Sequence, residues 1–385
     1  LSHTPSSREI DASWSPNGRY IAYMSDVTGE YEIYLKDRSD NNSVRQLTSD
    51  GSIWRFTPLW SPDSKQLLFS DKNHTLWVLD VESGKQTKID TARFNENSLT
   101  SYVWSPNSED IVYVKNDENR YSSLWLYNLE KGVVERLTDS MTSERNPTFS
   151  PDGQYLYFTS ERDFNLTFGS YEFDYLYNKA TRIYGVAVND DILALNKFES
   201  DEAEIESSNV EGSDDDKAEK AEVNTNVQAE NFAQRVEVLG AKAGNYRALS
   251  GVKGAVLAIS GSKLHLISTG RDGKVKTVAD KVNAYAISAN AKHLLVRSGD
   301  NYSIIEPKEK QDLGKTKIGL KQMMLKIDPK VEWQQMYVDG WRTLRDWFYD
   351  ENHHGQDWDA IRTKYQPLAD AVAHRADLDY VFSEI

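Results

Sequence analysis

One pattern that recurs about every 45 residues constrains the fold of this chain more than any other feature. Each copy has an aromatic residue, then Ser-Pro, Asn or Asp, and Gly or Ser, followed by an apolar stretch. The aromatic residues step by 46, 44 and 45 positions. A period in this range, with about four strands in each copy, is typical of β-propeller blades. The four clear copies start at Trp14, Trp60, Trp104 and Phe149.

The motif itself predicts a tight turn between two strands. Proline presets φ at the second turn position, and glycine adopts the left-handed conformation that lets the next strand pair. Copies two and three carry Ser64 and Ser108 at the glycine position, which costs some local strain. The apolar residues after each turn therefore continue an antiparallel strand.

Two weaker copies follow, near Arg247 and at Tyr285, which gives six starts of strand pairs. The opening residues Leu1-Ser-His-Thr match the Leu-Thr endings at Leu47 and Leu137, so they are expected to be the last strand of a preceding blade. The sequence thus predicts a mainly β fold over residues 1–325. We expect a propeller of about seven four-stranded blades, six visible plus a remnant.

An acidic stretch interrupts the repeat. Between Glu199 and Glu222 there are eleven carboxylates and two lysines, within a chain of net charge −15. The stretch has few aromatic residues, which predicts an acidic disordered insertion at about 199–230 in the fourth blade. An acidic docking segment is the alternative. The negative charge of the chain argues against nucleic acid and anionic membranes as partners.

The chain has no cysteine, which excludes disulfides and thiolate metal sites. No apolar run approaches the length needed to span a membrane. Its first residues have neither the features of a signal peptide nor an initiator Met, so we expect a piece of a longer protein. We expect a cytoplasmic location, with the periplasm as the alternative.

The period changes after the propeller, which predicts a separate helical segment at residues 326–385. Asp328 is a suitable N-cap, and Pro329 fits the first helical position. Apolar residues then recur at helical spacing, up to a terminator at Asn352–Gly355. The stripe on this first helix comprises Trp333, Met336, Tyr337, Trp341, Leu344 and Phe348.

Two shorter helices are predicted after this first one. The second is capped by Asp357 and is expected to stop before Pro367. The third carries one apolar face. A segment this small cannot bury so many aromatic side chains alone, so we expect the stripe to pack on the propeller. The apolar face of the third helix comprises Leu378, Val381, Phe382 and Ile385.

The histidine-rich loop between the helices suggests a metal cluster at first sight. His353 and His354 are adjacent, however, and two adjacent residues cannot share one helix face. No His-x-x-x-His pair or carboxylate triad accompanies them. A polar interhelical loop is the preferred interpretation. The nearby carboxylates are Asp350, Asp357 and Asp359.

Other short motifs also lack the spacing that their chemistry needs. Ser260-Gly-Ser262 is not a nucleophile elbow, and Gly251-Val-Lys-Gly254 is not a phosphate loop. Glycosylation triplets occur, but exposed propeller loops are rich in Asn. The sequence therefore assigns no catalytic, cofactor-binding or metal residue, and no cofactor. The triplets start at Asn41, Asn73, Asn165 and Asn301.

Two stretches together resemble a known family. The Trp-Ser-Pro-Asp-Gly copies resemble TolB-like propeller repeats, which are widespread. The tail is more specific, because it resembles the first helical segment of the catalytic half of tricorn protease. The residues that carry this second resemblance include Glu332-Trp-Gln-Gln-Met, Trp341-Arg-Thr-Leu-Arg-Asp-Trp-Phe-Tyr-Asp, His354-Gly-Gln-Asp-Trp-Asp and Leu378-Asp-Tyr-Val-Phe-Ser-Glu-Ile.

The resemblance implies a large homo-oligomeric serine peptidase, a hexamer, which trims oligopeptides left by upstream proteases. It implies that the propeller gates substrate entry and that the catalytic serine and histidine lie beyond this chain. None of the seven histidines matches the catalytic one, so no catalytic residue is carried over. His374 stands where the family has a Ser or Thr helix cap.

Two other functions stay open at this point. The first is a non-enzymatic TolB-like propeller that binds a protein or peptide partner. The second is a propeller hydrolase of the prolyl-oligopeptidase kind, which the tail sequence does not match.

Overall fold

A computed structural model describes residues 7–51, 53–93, 99, 101–163, 166–170, 174–177, 180–196, 225–270, 273–320, 323–324 and 326–385. The chain divides into two compact units. One comprises Leu1–Thr91 and Gly319–Ile385, and the other comprises Ala92–Ile318. The predicted remnant at residues 1–4 lies outside the described residues, as do residues 199–224 of the predicted acidic insertion.

The first unit contains two four-stranded antiparallel sheets, each with its strands in sequence order. Both begin at a predicted copy of the repeat, so each sheet is a blade. The first blade comprises β1 (Glu9–Trp14), β2 (Tyr20–Ser25), β3 (Glu32–Asp37) and β4 (Ser43–Gln46). The second comprises β5 (Leu59–Trp60), β6 (Gln66–Ser70), β7 (Thr75–Asp80) and β8 (Gln86–Thr91).

The second unit contains four further blades. The third blade comprises β9 (Tyr102–Trp104), β10 (Asp110–Asn116), β11 (Ser122–Asn128) and β12 (Val133–Arg136). The fourth comprises β13 (Glu144–Phe149) and β14 (Tyr155–Ser160), a hairpin of β15 (Leu166–Gly169) and β16 (Asp174–Tyr177), then β17 (Arg182–Ala187) and β18 (Val236–Val238). The fifth comprises β19 (Tyr246–Val252), β20 (Ala255–Ser260), β21 (Lys263–Ser268) and β22 (Val275–Asp280). The sixth comprises β23 (Ala284–Ile287), β24 (Leu294–Ser298) and β25 (Asn301–Ile305).

A serine hydroxyl organises the turn of the repeat motif. The Ser61 hydroxyl donates to Asp63 at 2.6 Å and accepts the N–H of Gln66 at 2.9 Å. Ser105 makes the same two hydrogen bonds, to Asn107 at 2.6 Å and from Asp110 at 2.8 Å. The serine and the Asn or Asp two positions later thus close the turn together, which explains why both recur. The same arrangement is present at Ser15, Ser150 and Ser288.

The predicted strain at the glycine position is confirmed. Gly18 and Gly153 have φ of 72° and 71°, and Ser64 and Ser108 each have φ of 65°. The two serines are held in this left-handed conformation by the strand pairing on both sides. The turn geometry therefore does not depend on glycine, although a side chain there is unfavourable.

In the second and fourth copies of the motif, the aromatic residue packs towards the preceding blade. Trp60 is buried, stacks on Tyr20 of the first blade at 6.2 Å, and donates its indole N–H to the Ser13 carbonyl at 3.3 Å. Phe149 of the fourth blade shares a core with Leu124 and other residues of the third blade. The 45-residue period therefore sets the contacts between neighbouring blades as well as the strands within each.

The predicted acidic insertion ends earlier than residue 230. Thr225 and Val227 are buried, and Val227 belongs to the core of the third and fourth blades. The Thr225 carbonyl accepts from the Asn107 side chain at 2.8 Å, and the Val227 N–H donates to Asp110 at 3.3 Å. Residues 225–230 are therefore part of the packed fold.

Three helices follow the blades in sequence: α1 (Pro329–Trp347), α2 (Trp358–Asp370) and α3 (Arg375–Glu384). The predicted caps are confirmed, since Asp328 accepts from the Lys330 N–H and Asp357 from the Ala360 N–H. His374 acts as the N-cap of α3 through its ring nitrogen, with Asp377 completing a capping box. No described helix is long and apolar enough to cross a membrane.

Two predicted helix ends are wrong. The first helix ends at Trp347 and not at Asn352–Gly355, because Phe348 has extended backbone angles. The second helix continues through Pro367 to Asp370. Pro367 lies in the last turns of an exposed helix, where the lost backbone hydrogen bond is tolerated because Ala369 and Val372 bury apolar surface beyond it.

Candidate functional site: the junction of the first blade and the helical segment

The loop between β2 and β3 of the first blade presents several hydrogen-bond acceptors to α1. Asp26 is buried at the end of β2. Gly29 has φ of +98°, and its N–H donates to the Asp26 carbonyl at 2.8 Å, which closes a tight turn. The turn directs the Gly29 carbonyl and the Glu30 carboxylate to the same side as Asp26. We call Asp26, Glu30, Asp339, Arg342 and Arg345 the junction cluster.

Arg342 is the centre of the junction cluster. Its side chain is 2% exposed, as is that of Asp26, and the two are 3.3 Å apart. The guanidinium also donates to the Gly29 carbonyl at 2.6 Å and to Asp339 at 3.2 Å. The charge is buried but compensated, which is the condition under which a buried ion pair is tolerated. Its guanidinium carbon lies 4.8 Å from the centre of the Tyr31 ring.

Arg345 adds a bidentate contact one turn further along α1. It donates to the two carboxylate oxygens of Glu30 at 2.6 and 2.9 Å, and to Asp346 at 2.8 Å. The hydrogen bonds to Glu30, with that to Asp346, raise the pKa of Arg345 against its partial burial. The planar fork of arginine fits a carboxylate in this way and lysine does not, so the contact is specific for arginine.

Polar groups around the cluster extend the junction. Asp26 also accepts from the Arg8 backbone N–H at 2.7 Å and from the Gln335 amide. Arg8 reaches Asp339 at 3.2 Å. Burial, with the nearby Asp339 charge, raises the pKa of Tyr31 to about 12, so its phenol is neutral under ordinary conditions.

Trp347 makes an aromatic contact beside the charged one. Its ring meets the rings of Trp54 and Phe56 edge-on, each at 6.4 Å between centres. The Lys72 ammonium lies 5.7 Å above the same ring. The end of α1 is therefore attached to the second blade as well as to the first.

The helical segment packs on the propeller as predicted, but the prediction of the face is wrong. Tyr337 is buried in a core with α2 and α3. Trp341 is also buried, and its indole N–H donates to the Trp358 carbonyl at 2.9 Å. Leu344 is 40% exposed. The two short helices therefore bury the aromatic stripe, and the opposite face of α1 binds the first blade through arginine.

Gly340 lets α1 and α3 pack closely enough for the small helical segment to form a core of its own. The third helix lies so close to α1 that a Cβ at Gly340 would overlap the Phe382 ring. The Phe382 ring in turn stacks on Tyr337 at 6.3 Å. A glycine in mid-helix is unfavourable by itself, so close helix packing is the physical reason for this residue.

A second buried carboxylate lies between the first two blades. Glu32 accepts from the Gly51 N–H at 2.6 Å and from Arg55 at 3.1 Å, and also from the Thr48 hydroxyl. In the second unit, the buried Glu144 accepts from the partly exposed Arg162 at 3.0 Å and from the Thr138 hydroxyl at 3.4 Å. The threonine of the Leu-Thr ending thus supports a buried carboxylate in both units.

The short motifs that the sequence analysis considered lie in turns. Ser260-Gly-Ser262 forms the hairpin between β20 and β21, and Gly251–Gly254 the one between β19 and β20. His353 stacks between Phe348 and Trp358, at 5.5 and 4.9 Å. Asn41, Asn73 and Asn301 lie in or beside hairpin turns, and Asn165 lies outside the described residues.

The arginines that make the junction were not predicted from the sequence. A usable signal was present, since Gln335, Asp339, Arg342 and Asp346 recur at helical spacing on one face of α1. Such a polar face usually contacts water. The junction cluster consists of carboxylates and guanidinium groups, so it is suited to holding two elements together and offers no nucleophile.

Within the described residues, five four-stranded blades, a sixth with three strands and a three-helix segment define the chain as a β-propeller with a helical extension. The chain belongs to the tricorn protease family. The family model described as "Tricorn protease second beta propeller domain" matches residues 1–308, and that described as "Tricorn protease C1 domain" matches residues 329–385.

Individual relatives support the same family. A tricorn protease homolog of Saccharolobus solfataricus is 26% identical over 336 residues, covering 84% of this chain and 30% of the relative. Tricorn protease of Thermoplasma volcanium is 22% identical over 387 residues, covering 94% of this chain and 35% of the relative. The chain thus spans about a third of the length of these relatives.

A solved structure supports the fold. The crystal structure of the tricorn protease superposes with a TM-score of 0.76 at 17% identity, over 96% of this chain and 36% of that chain. The match includes both the blades and the helical segment.

Proposed function

We propose that this chain is the substrate-admitting and supporting part of a serine-type peptidase that degrades oligopeptides left by larger proteases. The catalytic serine and histidine belong to parts of the parent protein outside residues 1–385. The parent forms a homo-oligomer, a hexamer by family resemblance. Its partners are oligopeptide substrates, and it acts in the cytoplasm.

The observation that carries this proposal is the buried ion pair between Arg342 and Asp26. We take the helical segment, which matches the family's C1 domain, as the start of the catalytic region. The ion pair, with the Arg345–Glu30 contact, fixes that segment on the first blade. A rigid attachment keeps reacting groups in register, and small displacements of such groups reduce rates strongly.

The supporting role is tested in the parent protein with short fluorogenic peptides. Arg342→Met removes the central cation and leaves an unbranched, uncharged side chain in its place. We expect a loss of roughly 10- to 100-fold in kcat/KM, without a change in any catalytic group. Arg375→Met is the matched control, because Arg375 makes an exposed pair with Asp379 on α3. Equal activity of both variants would refute the supporting role.

The peptidase itself is tested with the same substrates and a fluorophosphonate that labels active serines. The parent is expected to hydrolyse the peptides and to be labelled, whereas the 385-residue chain alone does neither. A parent protein with an intact downstream region that shows no hydrolysis would favour the alternative, a propeller that binds peptides without cleaving them.

Substrate admission is tested by comparing a folded protein with its own peptide fragments. A gated peptidase cleaves the fragments and leaves the folded protein intact. Equal cleavage of both would contradict the gating role. Size-exclusion chromatography with light scattering measures the oligomer, and cell fractionation with an antibody measures the location.

A further inference from the structure

The turn after α1 places a hydroxyl, an imidazole and a carboxylate in a row. The Tyr349 phenol oxygen lies 2.5 Å from Nε2 of His354. Nδ1 of the same ring lies 3.1 Å from the Asp350 carboxylate. Tyr349 is 81% exposed, so its oxygen is open to reagents in solution. We call these three residues the Tyr349 relay.

The contacts of Asp350 favour one tautomer of the His354 ring. Asp350 accepts the backbone N–H groups of Asn352 and His354, both at 3.0 Å, and these bonds lower the pKa of its carboxyl group. A carboxylate can only accept, so Nδ1 of His354 carries the hydrogen. In the neutral imidazole with its hydrogen on Nδ1, Nε2 has a lone pair directed at the phenol, which is the arrangement of a general base beside a hydroxyl.

The relay is attached to a rigid support. His353 stacks between Phe348 and Trp358 directly below the turn. The Trp358 indole N–H donates to the Trp341 carbonyl at 3.1 Å, which links the support to α1. The imidazole of His354 therefore projects from an anchored turn and not from a free loop.

The backbone at the two adjacent histidines adopts an unfavourable conformation that sets the direction of the His354 ring. His353 and His354 have φ of 48° and 54°, before Gly355 at 79°. Consecutive left-handed residues other than glycine are rare, and they concentrate at sites where a side chain must point in a given direction. The His354 ring consequently turns back to both Tyr349 and Asp350.

We propose that Tyr349 is a site of covalent modification by activated acyl or sulfonyl groups, with His354 as general base and Asp350 as a positioning residue. With a sulfonyl fluoride, the phenol oxygen attacks sulfur as Nε2 takes the phenol proton. The new S–O bond forms, the S–F bond breaks, and fluoride leaves. No oxidant, metal or cofactor takes part.

Benzenesulfonyl fluoride tests this site on the full chain. Peptide mapping by mass spectrometry follows the adduct at each tyrosine over time. Tyr380 is the internal control, since it is 62% exposed on α3 and its pKa is raised by the Glu384 charge. The raised pKa by itself slows sulfonylation of Tyr380. The decisive comparison is therefore between the rate of Tyr349 sulfonylation in the wild type and that in the variants. Tyr349→Phe identifies the adduct.

His354→Asn removes the base, and Asn tolerates the left-handed backbone. We expect the rate of Tyr349 sulfonylation in this variant to fall about 10- to 100-fold, which is towards the lower end of general-base effects. The rate of Tyr380 sulfonylation should be unchanged. Asp350→Asn is expected to lower the Tyr349 rate as well, and Asp350→Glu to restore part of it. Circular dichroism checks that each variant is folded.

An unchanged Tyr349 rate in His354→Asn overturns the proposal, whatever the rate at Tyr380. A Tyr349 rate equal to the Tyr380 rate in wild type also overturns it. The test needs no peptidase activity, so its outcome is independent of the proposed function.

Discussion

The Arg342 guanidinium and the Asp26 carboxylate form an ion pair across 316 residues of sequence, with both side chains 2% exposed. The contact joins the last helical part of the chain to its first blade. Neither charge reaches water, so each depends on the other for compensation. Arg342 also donates to the Gly29 carbonyl, and Asp26 also accepts from the Arg8 backbone N–H.

Arg342→Met is expected to destabilise the first unit by about 3–5 kcal/mol, since Asp26 is left buried and unpaired. Urea unfolding followed by tryptophan fluorescence measures the change. Arg375→Met, at an exposed pair, is expected to cost less than about 1 kcal/mol. The double variant Asp26→Asn with Arg342→Met should lose less than the sum of the two single changes. Additive losses would show that the pair is not coupled.

Tyr31 gives the junction a dependence on high pH. Its pKa is raised to about 12, above the ordinary value of about 10. Below pH of about 10 both folded and unfolded chains keep the proton; between about 10 and 12 the unfolded chain loses it first, so stability falls as pH rises. The tyrosinate absorbance difference between wild type and Tyr31→Phe is expected to titrate near pH 12. A difference that titrates near the ordinary value would contradict this.

Gly340→Ala is expected to destabilise the helical segment by about 1–3 kcal/mol, although alanine is the better helix former. The added methyl group overlaps the Phe382 ring, which must move away from Tyr337. Thermal unfolding measures the loss. Phe382→Leu in the same chain should recover part of it, because the smaller side chain leaves room for the methyl group. A stabilised Gly340→Ala variant would disprove the close packing.

Ser105→Ala is expected to cost about 1–3 kcal/mol, because the buried Asp110 N–H loses its acceptor. Ser288→Ala is the matched comparison, since Ser288 makes the same hydrogen bonds in a more exposed turn. There water replaces the hydroxyl, and the cost should be smaller. Chemical unfolding of the two variants measures which loses more stability. Equal losses would mean that burial of the turn is unimportant.

Deletion of residues 199–222 is expected to leave the melting temperature within about 2–4 °C of the wild type, because the sequence predicts a solvated insertion there and such an insertion contributes little burial. Deletion of residues 199–230 should lower it further, since Val227 and Thr225 would be lost from the core. Differential scanning calorimetry compares the two. Equal melting temperatures would show that residues 225–230 contribute nothing.

The repeat could be predicted because its signals are local. The spacing from Trp60 to Trp104 sets the blade, and Ser105 with Asn107 closes the turn within a few residues. The helix caps at Asp328 and Asp357 are local in the same sense. Each such feature depends on residues that are neighbours in sequence, so no knowledge of the tertiary structure was needed.

The junction could not be predicted because its two halves are far apart in sequence. The aromatic stripe with Trp341 was the stronger signal on α1, and α2 and α3 bury it. Arg342 and Arg345 look like residues of a solvated face until Asp26 and Glu30 are placed opposite them. The end of α2 was predicted wrongly for a similar reason. Pro367 locally favours a helix end, but the burial of Ala369 outweighs that preference.

The 316 residues between Asp26 and Arg342 also set the timing of synthesis. At a translation rate of roughly 5–20 residues per second, Arg342 is made about 15–60 seconds after Asp26. A first blade that folds within that interval has its acidic loop without Arg342, while the second to sixth blades are synthesised. The nascent chain is therefore exposed to chaperones and proteases at this loop until α1 has been synthesised.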